Sequence, residues 1–103
     1  MNKITVLIIE PEKEPYILEI ENELIQMQKL VGGYIEAVYL DTDTVLICNE
    51  EGKLDGLKYN RWLDNINDMI VGTFFITNRD GDEFTSISDS NILKYTKLFR
   101  LLN

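Results

Sequence analysis

Asn49, Glu50, Lys53, Asn60 and Arg61 crowd the stretch ICNEEGKLDGLKYNR, which runs from Ile47 to Arg61. Turn formation accounts for part of it: Gly52 and Gly56 supply turns, while Asn49 and Asp55 can bond to nearby backbone. It does not account for Asn60 and Arg61. They stand just before Trp62 and Leu63, which are expected to be drawn toward the core and to hold the arginine at a wall of the domain. An arginine fixed in that way pairs with a carboxylate such as Glu50 or Glu51, or meets a phosphate or carboxylate of a ligand. With Thr73, these residues (Asn49, Glu50, Lys53, Asn60, Arg61) form the candidate ligand-binding set.

Catalytic chemistry finds little support. The chain has no histidine, so the usual general base at neutral pH and the commonest metal ligand are both missing. Cys48 and the serines at 86, 88 and 90 have no evident activating base, and a thiol in an apolar strand has its pKa raised. Gly52-Lys53 is not the end of a phosphate loop, because Ile47 replaces the first glycine and Leu54 the Ser or Thr. A calcium loop around Gly81 would need oxygen ligands at Ile76 and Ile87. The carboxylate pairs Asp41/Asp43, Glu50/Glu51 and Asp82/Glu83 stand beside turns, where acids serve turn hydrogen bonding and solvation, so a carboxylate-dependent hydrolase is the weaker reading. No catalytic residue, metal site or cofactor is assigned.

Charge points instead to binding. All of the net −8 lies in residues 1–57, which hold twelve acidic and four basic residues against six of each in 58–103. Such a surface disfavours nucleic acid and anionic membranes and attracts a basic partner. Glu10, Glu12, Glu14, Glu19 and Glu21 are the candidate protein-binding residues. A DNA mimic is a weaker version of the same idea, since DNA carries one charge per about 1.7 Å and a net of −8 matches only about 14 Å of duplex.

The elements that must position these groups read as follows. ITVLII (4–9) is a strand covered on both faces, and YILEIE (16–21) is a half-buried strand with Tyr16, Leu18 and Ile20 inward. Asn22 is expected to cap a helix over 23–31 with Leu24, Met27 and Val31 as its stripe, stopped by Gly32-Gly33. YIEAVYL (34–40) and VLIC (45–48) flank a hairpin loop at 41–44. NRWL (60–63) reads as a short helical turn, DNIND (64–68) as a polar loop, and MIVGTFFIT (69–77) as one central strand with an irregularity at Gly72. Asp80-Gly81 marks a hairpin. Ser88 caps a final helix over 88–101, with Ile87 and Ile92 as a hydrophobic staple, Ile92, Tyr95, Phe99 and Leu102 on one face and Lys94, Lys97 and Arg100 on another. The expectation is a single α+β domain over 1–103, mainly antiparallel, with two amphipathic helices. The lone Cys48 and the absence of a signal or membrane-spanning segment suit the cytoplasm.

The ordered motifs VGGYIEAV (31–38), ICNEEGKLDGL (47–57), Asn60-Arg61 and VGTFFI (71–76), followed by a Phe-bearing terminal helix, resemble the family known as domain of unknown function 3846. Lys58-Tyr59 replace the proline that members carry shortly before the Asn-Arg pair. The resemblance implies a phage, prophage or conjugative-element setting and brings no assigned activity. In that setting the expected role is a non-catalytic accessory protein that binds and blocks a host protein with a basic surface, in the bacterial cytoplasm. The alternative is a protein that binds or sequesters a nucleotide or anionic metabolite through 47–61.

Overall fold

The computed structural model describes residues 2–101. The first apolar run forms strand β1 (Lys3–Ile9), in which Val6 to Ile9 are all 1% exposed or less, as a strand covered on both faces requires. A loop bounded by Pro11 and Pro15 leads to β2 (Tyr16–Glu21) and then helix α1 (Leu24–Val31). Gly32 stops the helix at φ +82°, a conformation open to glycine at no steric cost. Strands β3 (Ile35–Tyr39) and β4 (Thr44–Asn49) form a hairpin whose loop is held by the Asp43 amide donating to Asp41 Oδ1 at 2.9 Å. Beyond the 50–58 loop come β5 (Tyr59–Leu63), a 3₁₀ turn (Asp64–Ile66), β6 (Asp68–Val71), β7 (Phe74–Asp80), β8 (Glu83–Thr85) and helix α2 (Asp89–Leu98).

The main sheet has the order β2-β1-β7-β4-β3 with β8 also on β7, and β5 and β6 form a separate ribbon. Every pairing is antiparallel. This is the α+β domain that the sequence pattern implies. One face of the sheet, with Leu7, Ile9, Leu46, Phe74 and Ile76, is covered by Tyr95 of α2, by Phe99 just past its C-terminus, and by Leu63 and Ile70 of the ribbon. Phe74 meets Phe99 edge-on with ring centroids 5.5 Å apart. The other face, with Val6, Ile8, Val45, Ile47 and Phe75, receives Met27 and Val31 of α1. Each such large apolar side chain contributes about 1.5–3 kcal/mol on burial. No helix among the described residues is long and apolar enough to cross a membrane.

Several local expectations need correction. Residues 60–63 are strand, not helical turn, and a bulge between Tyr59 and Arg61 turns Asn60 and Arg61 both inward, where a regular strand would alternate them. Trp62 therefore points outward and is 50% exposed, its indole donating to Asp64 Oδ1. The run 69–77 is two strands in two sheets. Gly72 breaks it at φ +73°, in a place where a Cβ would lie 2.7 Å from Leu57 Cδ1. The segment 64–68 is the 3₁₀ turn and the start of β6. Asn22 does not cap α1: its side-chain Nδ2 donates to Phe84 O, and Glu23 occupies the cap position without a side-chain bond. Leu24 is exposed, because only Met27 and Val31 of the expected stripe reach the sheet. Tyr16 and Leu18 share a face with Ile20 but remain about 40% exposed, since α1 packs over β3 and β4 and leaves this margin open. Ser88 caps α2 as expected, accepting from the Asn91 amide at 3.2 Å. The expectation for Leu102 lies outside the described residues.

Candidate functional site

The segment after β4 is built from its own backbone. Asn49, buried at the strand end, accepts from the Glu51 amide through Oδ1 at 2.8 Å and donates through Nδ2 to Val31 O at 3.2 Å. The loop then closes on itself, with the Asp55 amide donating to Glu51 O and the Leu57 amide to Gly52 O. Gly52 lets it lie against β6, where a Cβ would meet Val71 Cγ2 at 2.9 Å. Lys53 reaches across to Asp68 in a charge-assisted hydrogen bond, and this pins the loop to the ribbon.

Between this loop, the β3–β4 hairpin and β6 lies a cleft of about 270 Å³. Val38, Cys48, Ile70 and Val71 make its floor, and Glu36, Glu50, Glu51 and Asp68 supply carboxylates. Lys53 is the only cation lining it among the described residues, already bound to Asp68. Among the described residues Glu36, Glu50 and Glu51 enter no ion pair. A second recess of about 260 Å³ includes Gln28, Tyr34, Glu51 and Asp55 and shares Asn49 with the first. Four carboxylates against one ammonium, beside apolar surface, give the cleft a net negative charge.

Titration fits this geometry. The Lys53 hydrogen bond and the Met69 amide hold the Asp68 carboxyl below the usual carboxylate range. Burial, with Glu36 nearby, pushes the Cys48 thiol up to about 11, so at neutral pH it is a protonated apolar group and not a nucleophile. No group of three His, Cys, Asp or Glu among the described residues is placed to hold a metal ion.

Of the candidate ligand residues, the structure brings Asn49, Glu50 and Lys53 to the cleft and leaves Asn60, Arg61 and Thr73 out of it. Asn60 is buried and donates through Nδ2 to Ile9 O and Gly72 O at 2.9 and 2.8 Å. Arg61 pairs with neither Glu50 nor Glu51. Its Nε donates to Phe99 O at 2.9 Å, Nη2 to Lys13 O at 2.7 Å, and Nη1 to Asn60 O and Oδ1 at 3.1 and 2.8 Å. The inward bulge makes it a clamp between the 10–15 loop, β5 and the end of α2. Burial pulls its guanidinium below its ordinary value, an effect opposed by Glu14. Thr73 sits half-buried between β6 and β7.

The N-terminal acids are mostly committed locally. Glu10 accepts the Tyr16 hydroxyl at 2.6 Å and lies 3.7 Å from Lys13; burial and this acceptor push the Tyr16 phenol up to about 12. Glu12 pairs with Lys58, Glu14 accepts the Leu101 amide at 2.9 Å, and Glu19 faces Lys3 at 4.0 Å. Glu21 is half-buried, with Oε2 buried and unpartnered. The cleft acids Glu36 and Asp68 are absent from the candidate ligand set because they come from β3 and β6, which only the tertiary fold brings to the loop, whereas Glu51, beside Glu50 in the loop, reads from the sequence as a partner of Arg61.

A family profile matches residues 4–100, which contain every element from β1 to α2 almost entire. The chain belongs to the family described as domain of unknown function (DUF3846). The family thus takes in every residue that lines the cleft. None of the curated proteins and none of the solved structures compared with the chain matches it.

Proposed function

We propose that this protein is a non-catalytic binding protein that acts stoichiometrically on a partner with a basic surface, and that the acidic cleft is its contact region. In the mobile-element setting the family resemblance implies, the partner is a host protein in the bacterial cytoplasm and binding blocks it. The observation that carries this reading is the contrast within the acidic half of the chain: among the described residues Glu36, Glu50 and Glu51 line one cleft without ion pairs, whereas Glu10, Glu12 and Glu19 each have a lysine. Keeping like charges together costs stability and raises the association rate with a cation. The reading as a nucleotide or anionic-metabolite binder lacks comparable support, because the Arg61 guanidinium is occupied by carbonyls and the cleft is negative.

Fluorescence anisotropy with a labelled nonaarginine peptide tests the proposal. Glu36→Gln/Glu50→Gln/Glu51→Gln is expected to weaken binding at least tenfold at low salt. Reversal of Glu12 and Glu19 is expected to change it less than threefold. Equal binding by the triple variant and the parent protein would sink the cleft as the contact region.

A further inference from the structure

We infer that β3 is a docking edge: an extended segment of the partner, basic at every second residue, adds antiparallel to it as a seventh strand and sends its basic side chains into the cleft. The inference rests on the proposed role of the cleft and adds how the partner is held. Among the described residues β3 is the last strand of its sheet and pairs only with β4. The bonds flanking that ladder run from the Leu40 amide to Thr44 O and from the Glu50 amide to Tyr34 O. In an antiparallel ladder alternate residues bond to one neighbour. Even-numbered residues of this segment therefore face β4, and the N–H and C=O groups of Ile35, Ala37 and Tyr39 point to the open side.

Proteins blunt exposed edges with charged side chains, above all lysine, and with proline or a bulge. Strand β3 has no lysine, proline or bulge, and its one charge, Glu36, lines the cleft, where it opposes an acidic strand and attracts a basic one, while exposed Ala37 leaves its backbone accessible. The opposite edge, β2, differs. By the same parity argument, from the Asn22 amide donating to Asn2 O, its open positions are Ile17, Glu19 and Glu21.

Side-chain alternation links the edge to the cleft. Glu36 and Val38 line the cleft, so residues across from them on an added strand share that face, with Cβ atoms about 4.5–5.5 Å away. A lysine or arginine there covers Val38 with its stem and meets Glu36 with its head. The intervening residues lie beside Ala37 on the other face, on the same side as exposed Tyr39, and are apolar. In an antiparallel addition these apolar residues, not the basic ones, exchange hydrogen bonds with β3.

Binding of a labelled nine-residue peptide alternating lysine and valine to the full chain tests this. N-methylation of the valines is expected to weaken binding at least tenfold, and N-methylation of the lysines less than threefold. Ala37→Pro, which removes an amide hydrogen that bonds nothing within the fold, is expected to weaken binding of the parent peptide to a similar extent with the thermal midpoint retained. If the valine-methylated peptide binds as well as its parent, or no alternating peptide binds while nonaarginine does, the docking edge is overturned and the acidic cleft stands. Loss of nonaarginine binding is what the cleft itself must answer to, and that measurement is separate.

Discussion

The bulge at Asn60-Arg61 and the loop at Asn49–Lys53 lie within one polar stretch, yet they use polar groups in opposite ways. At the bulge each nitrogen of a buried guanidinium donates to an acceptor inside the protein: Phe99 O, Lys13 O and both oxygens of Asn60. At the loop, Glu50 and Glu51 line a cleft with Glu36, and none of the three pairs with a cation among the described residues. Polarity in a sequence therefore does not locate function. What separates the two regions is whether the partner groups are already within the fold. The N-terminal acids make the same point, since Glu10, Glu12 and Glu14 are bound to Tyr16, Lys58 and the Leu101 amide.

The comparison is tested most severely at Arg61. Arg61→Met leaves three main-chain carbonyls and Asn60 Oδ1 without this donor, and each buried acceptor left unsatisfied costs about 1–3 kcal/mol. Thermal unfolding should shift down by more than about 10 °C, at roughly 4–8 °C per kcal/mol for a domain this size. Lysine should not rescue it, because an ammonium cannot reproduce the fork that spans these carbonyls. A loss below about 1 kcal/mol would place Arg61 with the uncommitted groups.

A smaller effect is expected at the cleft floor. The Cys48 thiol is pushed up to about 11 from an ordinary 9.0, so its contribution is fully present below pH 9 and is lost as pH rises through 11. The loss amounts to about 2 kcal/mol by pH 11. Tyr16, raised to about 12 from 10.0, adds its own loss between those values, so the readout is the difference between wild type and Cys48→Ala. That difference should shrink between pH 9 and 11 in denaturant titrations. A flat difference would mean that solvent reaches the floor.

Much of the fold is legible in the residues themselves, because its signals are local. The unbroken 4–9 run, Gly32, Asp80-Gly81 and the Ser88 cap each act over a few positions, and each appears where expected. Trp62 is misread because a bulge shifts alternation by one residue, which exchanges the faces of a strand, and the 69–77 run is misread because positive-φ Gly72 sends its two halves to different sheets. The site was half legible. Asn49, Glu50 and Lys53 reach the cleft, but Glu36 and Asp68 join them only through pairing across the fold, and Arg61 reads as a ligand group because three of its four acceptors are main-chain atoms, which no side-chain pattern reveals.

At the cleft rim the expected stability effect is smaller again. Glu50→Gln/Glu51→Gln removes two exposed charges that bond nothing through their side chains, and should leave the unfolding midpoint within about 0.5 kcal/mol of wild type. A large loss would show that the carboxylates are structural after all.

Asp68→Asn is expected to change stability least, and it sharpens the comparison most. The folded carboxyl titrates below its ordinary value, so the stabilisation it brings is present above about pH 4 and is lost as pH falls through the lower folded value. Since both side chains of the Lys53–Asp68 pair are about half exposed, salt screens the effect and the midpoint should barely move. Binding should respond differently. Without Asp68 the cleft loses one carboxylate and Lys53 loses its fixed partner, which leaves the ammonium free to pair with Glu50 or Glu51 beside it. The cleft would then hold three carboxylates against a mobile cation, and nonaarginine affinity should fall by about the same factor as for a single carboxylate deletion or more. Lys53→Met should do the reverse, strengthening the peptide's binding at low salt while leaving the fold intact. If both variants weaken binding equally, the pair acts by holding the loop in place and not through the charge of the cleft.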